Sequence, residues 1–159
     1  MQNDFTVCFF GHRRLDDYFT AEERMEKLIR QLMLENEDVE FLVGREGEYD
    51  QIVSSAVRRV RKELSTENCW LTWVLPYLKA ELDHDRSAFE DYYDSIEICE
   101  VTAAAHPKAA IQIRNRALVD RSDLCVFFVE HPSGGAWKTL RYAASRGKAL
   151  INLAASPAG

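Results

Sequence analysis

The chain has 159 residues and a mass of 18.3 kDa, about one domain's worth and enough to bury a single core. With 47% hydrophobic and 29% charged residues, the apolar content is too high for a mainly disordered chain. Twenty Lys plus Arg against 26 Asp plus Glu leave a net charge of −6, which argues against a broad cationic surface for coating DNA. It leaves room for a small anion held by a few local arginines.

No run approaches the ~18 to 20 apolar residues that span a bilayer. Met1-Gln2-Asn3-Asp4 has no basic stretch ahead of an apolar one. No secretory signal or membrane partner is therefore expected, and the expected address is the cytoplasm. Cys8, Cys69, Cys99 and Cys125 are far apart with no CxxC, so buried free thiols are expected rather than a disulfide framework or a zinc site.

Taken in chain order, short apolar runs alternate with helical patterns. Residues 5–10 (FTVCFF) read as a strand ending at Gly11. Met25, Leu28, Ile29, Leu32 and Met33 then share one helix face, with Thr20 and Glu23 offering a capping box at its start. Residues 39–43 form a second strand ending at Gly44, and Val53, Ala56, Val57, Val60 and Leu64 line a helix starting near Glu48. A third strand at residues 70–75 ends at Pro76. Residues 77–93 are polar, acidic and aromatic, and are expected to form an irregular excursion with a short helix. A weaker strand follows at 95–99. Pro107 is placed to open a helix whose Ile113, Ala117 and Leu118 would face inward. Residues 124–129 (LCVFFV) form the fifth strand, and Leu140, Ala143 and Ala144 mark a helix stopped by Gly147. Residues 149–153 close the series, and 154–159 read as a flexible tail. Runs apolar on both faces, alternating with amphipathic helices, predict one α/β domain over residues 1–153. Its sheet should be mainly parallel, with helices on both faces in three layers.

In such a sheet, ligands bind in the crevice beyond the carboxyl ends of the strands. Four segments fall there or beside it. Gly11-His12-Arg13-Arg14 follows the first strand, where glycine admits an anion to the backbone and Arg13 offers a planar fork. Gly44-Arg45-Glu46-Gly47-Glu48-Tyr49-Asp50 is a strand–helix turn whose paired glycines can expose amides. It is neither a dinucleotide fingerprint nor a P-loop, and its carboxylates would oppose a phosphate, cap the helix or accept sugar hydroxyls. In Arg114-Asn115-Arg116 the arginines are two apart and diverge on a helix, so only one should face a ligand. Asp120 and Asp123 follow. Ser133-Gly134-Gly135-Ala136-Trp137-Lys138-Thr139 links the fifth strand to its helix, with hydroxyls from Ser133 and Thr139 beside free helix N–H groups. The four histidines form no metal motif, so no metal site and no cofactor are expected.

In order, these motifs resemble the SLOG superfamily, the Rossmann-like group named for the Smf/DprA and LOG proteins, and within it the YpsA-like branch. The resemblance runs from Val7-Cys8-Phe9-Phe10-Gly11-His12-Arg13 to Gly147-Lys148, through Gly44–Asp50, Arg114–Asp123 and Ser133-Gly134-Gly135 with Arg141-Tyr142-Ala143. It implies a Rossmann-like fold, a nucleotide or nucleotide-derived ligand, and a homo-oligomer. LOG enzymes split a nucleoside monophosphate with an arginine and the glutamate of a PGGxGTxxE motif. Arg114 matches that arginine, but counting from Thr139 the glutamate position holds Tyr142. Losing an acid–base carboxylate forfeits ~10²- to 10⁴-fold in rate.

The reading is therefore a binding or sensor protein for a nucleotide-like molecule, with a LOG-like N-glycosidic hydrolase as the alternative. In that alternative Asp50, Glu48 or Asp120 would replace the missing acid, working with Arg114. A DprA-like single-strand DNA binder is disfavoured by charge, and nucleic acid is not the expected partner. Ligand contacts are expected from Gly11, His12, Arg13, Gly44, Gly47, Asp50, Arg114, Asn115, Arg116, Ser133, Gly134, Gly135 and Thr139. Gly11, Arg13, Gly44, Gly47, Arg114, Gly134 and Gly135 are expected to converge on one crevice.

Overall fold

A computed structural model describes residues 4–99 and 106–155 of the chain. The start of the chain read for a signal, Met1 to Asn3, and residues 156–159 of the expected tail lie outside the described residues. Strand β1 (Phe5–Gly11) leads to helix α1 (Tyr18–Glu35), β2 (Val39–Val43), α2 (Glu48–Leu64) and β3 (Cys69–Leu75). Short helices α3 (Ala80–His84) and α4 (Arg86–Tyr92) precede β4 (Ser95–Ile98). The chain continues with α5 (Pro107–Arg121), β5 (Leu124–Phe128), α6 (Gly134–Ser145) and β6 (Leu150–Asn152). The strands form one six-stranded sheet in the order β4-β3-β2-β1-β5-β6, and every pairing is parallel.

Alternation along the strands sorts the core into two layers. Val7, Phe9, Phe41, Trp73, Val126 and Phe128 pack with α1 and α2, whereas Cys8, Phe10, Leu42, Val74, Cys125 and Phe127 pack with α5 and α6. The register explains the match: Cys8 pairs Cys125 and Phe10 pairs Phe127, so neighbouring strands send the same kind of side chain to the same face. Cys8, Cys69 and Cys125 are buried, and none of the three is in a disulfide. No described helix is long and apolar enough to cross a membrane.

Three local expectations change. Helix α1 is capped by Asp17, whose carboxylate accepts the Thr20 N–H at 3.2 Å, rather than by Thr20. The cap lies outside the apolar period, and an aspartate competes well for that position. Helix α5 buries Ala110, Arg114, Asn115, Leu118 and Val119; Ile113 and Ala117 are only half-buried. A polar inward face overrides the apolar pattern there. Helix α6 buries Ala136, Thr139 and Ala143, leaving Leu140 half-buried and Ala144 exposed.

The order places the reversal of the sheet between β1 and β5. Strands β2, β3 and β4 build outward on one side of β1, and α5 then carries the chain back to the other side. The carboxyl ends of β1 and β5 splay into the crevice where open α/β sheets bind ligands.

Candidate functional site

A cavity of about 490 Å³ opens at that switch point. Gly11, His12, Arg13, Gly44, Gly47, Asp50, Arg114, Asn115, Gly134 and Gly135 all lie in its wall, together with Glu46, Lys108, Gln112 and Lys138. The volume lies within the range of ordinary small-molecule sites.

The wall is built by close approach of two loops. A Cβ at Gly11 would overlap the Tyr49 ring, and one at Gly47 would overlap the Arg13 backbone. Only glycine allows these contacts. The Glu48 N–H then donates to the Arg13 carbonyl at 2.8 Å, and the Glu48 carboxylate accepts the Leu15 N–H at 2.8 Å. Glu48 thus holds the loop after β1. Buried Tyr49 donates its hydroxyl to the Val126 carbonyl at 3.3 Å, fixing the start of α2 against the sheet.

The floor is a hydrogen-bonded chain crossing the cavity. Buried Arg114 donates to the Glu46 carboxylate, to the Val74 carbonyl at 2.9 Å and to the Asn115 side-chain oxygen at 3.0 Å. Asn115 donates to the Thr139 hydroxyl at 3.2 Å, and that hydroxyl donates to the Gly135 carbonyl at 2.9 Å. The chain ties the β2–α2 turn to the first turn of α6. Arg114 is consequently a pillar of the site, with its planar fork committed to protein partners.

Two carboxyls of opposite character share this floor. Burial pushes Glu46 up, but the Arg114 charge and hydrogen bond, with the Arg45 amide and Lys79, outweigh it and hold Glu46 at about 2. Asp50 is pushed up to about 6, first by burial and then by the charge of Glu46. Its carboxylate accepts the Glu46 N–H at 2.8 Å, which offsets part of that rise.

On the opposite wall His12 stacks on His131, with ring centroids 3.9 Å apart and planes 9° from parallel. His12 Nε2 accepts the Glu130 N–H at 3.0 Å, which puts the proton of the neutral ring on Nδ1. Burial, and then His131, lower the His12 pKa below its ordinary 6.5, against opposing pulls from Glu130 and Asp16. Gly134 adopts φ +89°, a left-handed conformation suited to glycine, and α6 begins there without a side-chain cap on its first N–H groups.

Five expected residues lie outside the wall, among them Glu48, whose carboxylate is taken by the Leu15 N–H. Arg116 points outward, over the Tyr142 ring at 5.4 Å. Exposed Ser133 engages His131 at 3.0 Å, and buried Thr139 acts through Asn115 and Gly135. Asp120 accepts the Tyr142 hydroxyl at 2.8 Å on the outer surface of α5 and α6, so neither Asp120 nor Tyr142 reaches the cavity. Among the described residues, no group of three His, Cys, Asp or Glu side chains is placed to hold a metal. Sequence reasoning misses Lys108 and Gln112 as site residues, and leaves Glu46 and Lys138 out of the expected ligand contacts although both lie in turns it singles out. Glu46 sits in a recognised turn, but its partner Arg114 is 68 residues away, and Lys108 and Gln112 become legible only once α5 is seen to face inward with its polar side.

Comparison with family models and with curated proteins finds no match. Solved structures do match. DNA processing protein A from Helicobacter pylori, described for its single-stranded DNA binding mode, superposes with a TM-score of 0.65 at 18% identity, covering 94% of this chain and 65% of that one. DprA from Streptococcus pneumoniae gives 0.67 at 16% identity, covering 92% and 49%. The likeness is one of fold. It is the Rossmann-like architecture expected from the Smf/DprA side of the resemblance, and this chain spans half to two-thirds of the length of those proteins.

Proposed function

We propose that the cavity binds a nucleotide or nucleotide-derived small molecule, with its phosphate at the N-terminus of α6. The observation that carries this reading is where the uncommitted cations gather. In a chain of net charge −6, the charged groups of Arg13, Arg14, Lys108 and Lys138 have no ion pair or hydrogen bond among the described residues. Arg13, Lys108 and Lys138 line the cavity, and Arg14 follows Arg13 in the chain. Elsewhere Arg30, Arg59, Arg61, Arg86, Arg121 and Arg146 are each neutralised by a carboxylate. Lys27 and Lys62, exposed on α1 and α2, stand outside the cavity wall, as do Arg116 and Arg141, which have no carboxylate partner among the described residues and lie over the Tyr142 and Trp137 rings. Unpaired cations beside uncapped helix amides favour an anion. The Glu46 and Asp50 carboxylates below them suit hydroxyl donors such as those of ribose.

The fold likeness favours a second reading, in which the chain binds single-stranded DNA as the Helicobacter protein's description states for that protein. A strand needs a cationic track with stacking aromatics extending past one nucleotide. The pairing of those arginines away from the rim supports the small-molecule reading over it. The YpsA-like assignment, a cytoplasmic address and self-association belong to the same proposal. Denaturing the purified protein and identifying the released small molecule by mass spectrometry tests it. A stoichiometric phosphorylated nucleoside is expected. Recovery of no such molecule, together with tight oligonucleotide binding in a gel shift, would favour the DNA reading instead.

A further inference from the structure

A second hollow of about 240 Å³ shares Gly44 and Asp50 with the main cavity and runs along α2 to the Tyr92–Tyr93 corner. Independent small-molecule sites start near ~300 Å³. A smaller hollow that meets a larger one at a glycine and a carboxyl has the form of an annex. Its polar groups are not all used. The Ser54 hydroxyl, in a residue only 2% exposed, has no hydrogen-bond partner, and Arg45 Nε has only its ion pair with Glu81 at 3.5 Å. The Tyr93 hydroxyl lies beside both. Buried polar groups are normally paired, so an orphan hydroxyl on this small wall calls for an explanation.

The chemistry of these groups narrows the occupant. The Ser54 hydroxyl is free to donate and the Arg45 guanidinium beside it can only donate, so a group seated between them supplies acceptors. The Arg45 charge is already balanced by Glu81 at 3.5 Å, and Asp50 borders the hollow, so the acceptors belong to a neutral group. Tyr92 and Tyr93 add aromatic surface. A flat, neutral, acceptor-bearing ring meets all of these conditions.

We propose that this hollow is a base subsite: it takes the heterocyclic base of the nucleotide whose phosphate lies at the N-terminus of α6. Ser54 and Arg45 donate to carbonyl or ring-nitrogen acceptors of the base, while Asp50, common to both hollows, faces the sugar between. The proposal rests on the nucleotide reading above and adds to it a source of base selectivity.

The test titrates ribose 5-phosphate, AMP, GMP, CMP and UMP into the wild type and into Ser54→Ala by calorimetry, with melting curves for both proteins. At least one nucleotide should bind about tenfold more tightly than ribose 5-phosphate. Ser54→Ala should bring that nucleotide close to ribose 5-phosphate and leave ribose 5-phosphate itself unchanged. The variant should melt no lower than the wild type, because it loses a buried hydroxyl that had no partner. Nucleotides that bind no better than ribose 5-phosphate would overturn the subsite while sparing the phosphate site, and so would a Ser54→Ala variant that weakens all ligands equally. If none of the five binds, the nucleotide reading falls, and the subsite with it.

Discussion

Replacing Asp50 by asparagine should stabilise the unliganded protein at neutral pH and remove a feature of its pH dependence. Asp50 moves from an ordinary 3.8 to about 6 in the folded state. Below both values the carboxyl is protonated whether or not the chain is folded. Between them the folded state keeps a proton that the unfolded state has lost, so stability falls as pH rises through that window. Above it the full penalty of an ionised, half-buried carboxylate is in place. A gap of roughly two pH units at ~1.4 kcal/mol each gives at most about 3 kcal/mol, reduced by whatever water enters the open cavity. The side-chain oxygen introduced by Asp50→Asn can still accept the Glu46 N–H that the carboxylate accepts now. The variant should therefore gain up to ~3 kcal/mol at pH 7, a rise of roughly 2 to 4 °C per kcal/mol. Urea melts at half-unit steps from pH 4 to 7.5 measure it. His12, also held low, is present in both proteins and cancels in the difference. Wild-type and variant curves that run parallel across the window would refute the reasoning. So would a variant that is less stable at pH 7.

Other outcomes follow from the same geometry. Glu46 should act in the opposite sense: its pairing stabilises the fold above pH 4.5 and is lost as pH falls toward 2, so acid unfolding of Glu46→Gln should be shallower there, as acid titration of both proteins would show. Arg114→Met strands a buried carboxylate and should cost ~3 to 5 kcal/mol in chemical denaturation, with partial recovery in the Arg114→Met, Glu46→Leu double variant. Gly47→Ala, which collides with the Arg13 backbone, should lose ~1 to 3 kcal/mol, visible as a lower melting temperature. Lys108→Ala and Lys138→Ala should each weaken phosphate-ligand binding in calorimetry, more at low salt than at high, with melting temperatures nearly unchanged.

The fold was legible because its signals are local. Apolar runs ending in Gly11 and Gly44 mark buried parallel strands, and the helices between them carry their own periodicity. The ends of elements were less legible. Asp17 caps α1 from outside the apolar pattern, and residues 77–93 hold two short helices rather than one. At the site, the glycine turns declared themselves because a close approach leaves a residue-type signature. Long-range pairings do not. The Arg114–Glu46 contact, the Tyr49 ring filling the space over Gly11, and the stacking of His12 on His131 depend on which strands become neighbours. The outward turn of Arg116 and Asp120 depends on the rotation of α5, which its weak apolar periodicity does not define.

The most direct test of the phosphate site compares wild type with Gly135→Leu by calorimetry, using the same nucleoside monophosphates. A Cβ at Gly135 meets only the flexible end of Gln112, so the variant should fold normally while its side chain occupies the cavity mouth. The account predicts one-to-one binding of at least one nucleotide to the wild type and none to a Gly135→Leu protein with an unchanged melting temperature. Equal binding by both proteins, or binding by neither, would contradict it.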